Sequence, residues 1–70
     1  MKLDKAFIKI LIVEDESIIA FSMRSMLQEL GYTDCKIADT EEQAKALIDS
    51  IDFNLIILDI NLKHGDEGLK

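Results

Sequence analysis

Apolar residues along this chain follow two rhythms. Some come as short unbroken runs. Leu55-Ile56-Ile57-Leu58 leads straight into Asp59-Ile60-Asn61-Leu62, bounded by Asn54 and by Gly65 and Gly68. That pattern predicts a strand buried on both faces. Phe7 to Val13 is a second such run, broken only by Lys9 and followed at once by Glu14, Asp15 and Glu16. Between them the rhythm changes. Ile19, Met23, Met26, Leu27 and Leu30 fall on one face of a helix over Ile18 to Leu30. Gly31 supplies a left-handed stop, and Ser17 or Asp15 is a candidate cap. Thr33 to Ala38 alternates weakly and carries Asp34 and Lys36, as an edge strand does. Thr40-Glu41-Glu42-Gln43 has the form of a capping box, and Ala44, Leu47, Ile48 and Ile51 give the next helix its inward face.

The order is therefore β-α-β-α-β. Strands alternating with helices predict an α/β fold with a parallel sheet and right-handed crossovers. The 70 residues make at most one domain, spanning residues 1–70. A chain of this size buries only about 60% of its unfolded surface, which leaves it marginal.

Composition narrows the partners. Hydrophobic residues make up 49% of the chain, too many for a disordered segment. The formal charge of -6 argues against nucleic acid or an anionic membrane as a direct partner, and suits a cation site. Cys35 stands alone, so no disulfide framework exists and a cytoplasmic location is expected. No apolar run reaches the roughly 18 residues of a membrane span.

The candidate chemistry lies where strands end. Val13-Glu14-Asp15 and Leu58-Asp59 each place acids after an apolar strand. In open α/β sheets ligands bind beyond the carboxyl ends of the strands. If the first and third strands are neighbours, these carboxylates converge. Carboxylates without His or Cys favour a hard cation, and Mg²⁺ is the common choice. A carboxylate beside Mg²⁺ can also act as a nucleophile toward phosphorus.

Ile10-Leu11-Ile12-Val13-Glu14-Asp15-Glu16 and Leu55-Ile56-Ile57-Leu58-Asp59-Ile60-Asn61-Leu62 resemble the two signature blocks of response-regulator receiver domains. Leu30-Gly31-Tyr32 and the loop Gly65-Asp66-Glu67-Gly68 fit the same family. The resemblance implies a flavodoxin-like three-layer fold with strand order 2-1-3 for the portion present. It implies that Asp59 is the phospho-acceptor of a phosphorelay module rather than part of an enzyme. It implies Asp15 as a direct Mg²⁺ ligand, Glu14 as its water-mediated neighbour, and Asn61 as the residue whose main-chain carbonyl completes the shell, with Asp59 also on the metal. The implied partner is a histidine kinase or a phosphotransfer protein.

Complete receivers carry a Ser/Thr at the end of a fourth strand and a Lys at the end of a fifth. Neither position is among these residues, so phosphorylation is expected to be slow or absent. A metal-dependent phosphatase fits less well, because Asn61 stands where such an enzyme needs a second acid. The other alternative is a non-catalytic half-receiver acting as an interaction module. In either reading the third strand is expected to present an unpaired apolar edge, which makes the chain a homo-oligomer through that edge. His64, Cys35, Phe21 and Tyr32 are read as solvated or packing residues.

Overall fold

The computed structural model describes residues 4–59. Asn61, His64 and the Gly65-Asp66-Glu67-Gly68 loop lie outside them. Three parallel strands, β1 (Lys9–Val13), β2 (Asp34–Ala38) and β3 (Leu55–Leu58), lie in the order β2-β1-β3. Two helices, α1 (Ser17–Glu29) and α2 (Glu41–Ser50), make the crossovers. This is the truncated flavodoxin-like α/β arrangement expected from the sequence.

Strand pleat sorts the sheet into two faces. Leu11 and Ala38 pack with Ala44 of α2, and Val13, Leu47 and Phe53 close around them. Ile10 and Ile12 point the other way, and Ile10 shares a cleft with Leu27 of α1. Ile10, Leu11 and Ile12 are the largest fully buried side chains. Fully burying a Leu or Ile is worth about 1.5–3 kcal/mol, so β1 holds most of the core. Among the described strands it is the one with a strand on each side.

Several edges differ from the expectation. The first strand starts at Lys9. Lys5–Phe7 instead form a short 3-10 turn, whose start Asp4 caps by accepting from the Ala6 N–H at 3.0 Å. Phe7 is consequently exposed. On α1, Ala20 is the buried residue, with Met23 and Leu27 beside it half-buried. Met26 and Leu30 are 59% and 60% exposed, so they lie off the packed face. Ala20 carries too little apolar surface to stand out in a hydrophobic pattern, yet its size lets the helix approach the sheet.

Neither Ser17 nor Asp15 is the N-cap of α1. Glu16 is, and its side chain does not serve the cap. At the other end, Gly31 adopts φ +105°, with its N–H on the Gln28 carbonyl and the Tyr32 N–H on the Leu27 carbonyl. That is a Schellman ending, which glycine favours. The Lys5 ammonium donates to the Leu30 carbonyl at 3.0 Å and tethers the N-terminal turn there.

β3 is the main correction. Leu55, Ile56 and Leu58 are 47%, 41% and 64% exposed, so this strand is not buried on both faces. It pairs with β1 on one side, and among the described residues nothing pairs with the other.

Candidate acidic site at the carboxyl ends of the strands

β1 has β2 on one side and β3 on the other, while successive crossovers place α1 and α2 on opposite faces. The strand order therefore reverses between β1 and β3, the position where such sheets bind ligands. Val13 pairs with Leu58 and with Ala38. One residue further on, that register puts Glu14 beside Asp59 and beside Asp39. Two of these acids were expected to meet. Asp39 was not singled out, although it follows the second strand just as Glu14 follows the first.

The backbone fixes this row. The Asp59 N–H donates to the Val13 carbonyl at 3.1 Å, and the Glu14 N–H donates to the Ala38 carbonyl at 3.0 Å. Glu14 is buried, at 3% exposure, and its Oε2 accepts from the Glu16 N–H at 2.8 Å. The carboxylate thus satisfies a donor at the start of α1, where negative charge is favoured.

A hydrogen bond to Asp59 is the main influence on Glu14 and raises its carboxyl pKa above the usual range. Burial, the Asp59 charge and a hydrogen bond with Asp15 push the same way, while the Glu16 N–H opposes them. Two acids hydrogen-bond only by sharing a proton. Crowded like charges make the second ionisation unfavourable. A divalent cation in the proton's place would relieve the same repulsion, so this donor set fits a hard cation. Among the described residues, however, no three His, Cys, Asp or Glu side chains form a ready metal cluster. Asp15 is solvent-exposed and Asn61 is outside the described residues. What the fold brings together is the Glu14–Asp59 pair, with Asp15 in contact.

Elsewhere, a cleft of about 470 Å³ lined by Lys5, Ile8, Ile10, Leu27, Tyr32 and Leu55 opens at the amino ends of the strands. It is apart from the acids. Cys35 donates its thiol to the Tyr32 carbonyl at 3.4 Å, and burial raises its pKa, as befits an inert residue.

A parallel sheet of order 2-1-3 with paired acids at its switch point defines the class, and sequence comparison agrees. The response regulator receiver domain matches residues 10–70, and the chain belongs to that family. It is also similar to the transcriptional regulatory protein PmrA of Pectobacterium parmentieri, 41% identical over 61 residues. That match covers 87% of this chain and 27% of the relative, so the chain spans about a quarter of that protein's length. Solved structures offer no match.

Proposed function

We propose that this chain is the phospho-accepting part of a two-component receiver, with Asp59 as acceptor. The observation that carries the reading is the β1–β3 register, which sets the Glu14 and Asp59 carboxyls side by side at the switch point of the sheet. Asp59 is solvent-exposed and backbone-anchored, so a donor can reach it without the acid losing its place.

In the step itself, an Asp59 carboxylate oxygen forms a bond to phosphorus. The bond from phosphorus to the donor's nitrogen or oxygen breaks, and the leaving atom keeps the electron pair and takes a proton from water. Glu14, Asp15, Asp59 and the main chain of Asn61 are the residues that would hold Mg²⁺. Bound there, Mg²⁺ would neutralise charge building on the phosphoryl oxygens. Glu14 holds the loop after β1 through the Glu16 N–H, and so keeps Asp15 near the pair. The donor class is a phosphohistidine on a kinase or phosphotransfer protein, and the setting is cytoplasmic.

The test is mass spectrometry after incubation with a small phosphodonor, with and without Mg²⁺. One phosphoryl group, dependent on Mg²⁺ and lost in Asp59→Asn, is expected. Labelling that survives Asp59→Asn would overturn the assignment.

A second reading rests on the exposed β3. Among the described residues nothing pairs with its outer edge, and exposed Leu55, Ile56 and Leu58 suit pairing with a second copy, as a homo-oligomerising half-receiver. Light scattering across a dilution series distinguishes the two. A concentration-independent monomer would remove the oligomer reading.

A further inference from the structure

We infer that Gln43 is a positioning residue for Asp59, acting through two intervening peptide units. This rests on the reading of Asp59 as the phospho-acceptor. One row of hydrogen bonds links the two residues. The Asp59 N–H donates to the Val13 carbonyl at 3.1 Å. That carbonyl belongs to the same peptide unit as the Glu14 N–H, which donates to the Ala38 carbonyl at 3.0 Å. The Ala38 carbonyl in turn shares its peptide unit with the Asp39 N–H. Among the described residues this last donor meets no strand, because β2 is the edge of the sheet there. It donates to Gln43 Oε1 at 3.0 Å instead.

Gln43 therefore does for one peptide what a further strand would do. Peptide units are planar and stiff, so their N–H and C=O move together. Fixing the Asp39 N–H fixes the Ala38 carbonyl, and with it the Glu14 N–H, the Val13 carbonyl and the Asp59 N–H. The three bonds point the same way, and hydrogen bonds in such a chain polarise and strengthen one another.

The geometry also separates Gln43 from an ordinary capping residue. In a capping box the residue-three side chain returns to the N–H of the cap itself. Here the cap is Thr40, whose Oγ1 accepts from the Gln43 N–H at 3.0 Å. The Gln43 amide passes over Thr40 and takes the N–H of Asp39, the peptide that continues the row. Thr40 thus serves the helix, while Gln43 serves the sheet edge that carries the acids.

The experiment compares isotope-labelled chains without metal by amide NMR, then titrates Mg²⁺. Gln43→Met keeps length and helix propensity but removes the acceptor. Gln43→Glu keeps an acceptor, and Thr40→Ala removes only the helix cap. In Gln43→Met the amide protons of Asp39, Glu14 and Asp59 are expected to move upfield together. Mg²⁺ binding should weaken by up to about tenfold, the lower end for outer-shell partners. Gln43→Glu restores both. Thr40→Ala lowers the melting temperature and leaves the Glu14 and Asp59 amides in place. If only Asp39 moves in Gln43→Met, or Thr40→Ala moves all three equally, Gln43 does not position the acceptor. Should Gln43→Met fail to fold, couplings across the three hydrogen bonds in the unaltered chain decide. Their presence sustains the relay, and a missing coupling from Asp39 to Gln43 overturns it. An intact relay in a chain that takes no phosphoryl group at Asp59 would refute the acceptor reading separately.

Discussion

Leu11→Ala tests where this fold keeps its stability. Leu11 is fully buried at the centre of the sheet, against Ala38, Ala44 and Leu47. Its neighbours are small or already packed, so they cannot collapse far into the space. Such truncations cost about 2–5 kcal/mol, and about 3 is expected here. A domain of 70 residues has roughly 4–10 kcal/mol in total. One substitution therefore removes a third or more of the stability. The melting temperature should fall by roughly 12–24 °C, at 4–8 °C per kcal/mol. The control is Leu58→Ala on the same face of the sheet. Leu58 is 64% exposed, and its truncation should cost no more than about 0.5 kcal/mol. Urea unfolding followed by circular dichroism, at two protein concentrations, measures both. If Leu58→Ala costs as much as Leu11→Ala, the reasoning fails, because β3 is then covered in solution. If that cost grows with concentration, a second copy supplies the cover.

Without divalent cations, Glu14→Gln should stabilise the chain at neutral pH by removing one of two crowded charges. The sign follows from the raised Glu14 pKa. Its proton-linked stability is complete below the usual glutamate range and is lost as pH rises through the folded-state value. The gain should thus vanish in acid, and thermal melts across pH would show a flat gain if the pair were not coupled. Thr40→Ala should cost about 1 kcal/mol through loss of the bond to the Gln43 N–H, read by urea unfolding. Gly31→Ala should cost about 1–2 kcal/mol, since φ is +105° and a Cβ would meet Lys5 Cδ at 3.2 Å. An unchanged midpoint would mean that the helix ending rearranges at no cost.

The elements were legible because their periods differ. Short unbroken apolar runs and stripes of period 3.6 separate strands from helices without reference to tertiary context. The acid-ended strands were legible for the same reason, since Glu14 and Asp59 each interrupt an apolar run. Burial was less so. Leu55 to Leu58 has the composition of a central strand, but burial depends on neighbours that a local pattern does not contain. The helical stripe through Met26 and Leu30 misled because hydrophobicity marks what can be buried, whereas small size at Ala20 decides which face comes close. Gln43 was recognised as part of a capping box. Its reach to Asp39 was not legible, because a propensity rule specifies the residue type and not which neighbouring N–H it takes.

Why the acids meet at all is a question of register. Shifting β3 by one residue would set Leu58 beside Glu14 and turn every side chain of the strand to the other face. With one side of β3 exposed, packing alone specifies that register weakly. Asn54 strengthens it from the opposite end. Its Oδ1 accepts from the Lys9 N–H and its own N–H donates to the Lys9 carbonyl, both at 2.8 Å. This two-way clasp fixes the start of β3 against the start of β1. Four strand residues later the chain reaches Asp59, whose N–H closes the ladder on Val13. The spacing from Asn54 to Asp59 equals that from Lys9 to Glu14. Equal spacing on parallel strands carries the alignment at the clasp forward to the carboxylates. A polar residue before the strand thereby sets which residue sits beside Glu14, and the strand's apolar side chains need only be large enough to hold the sheet together.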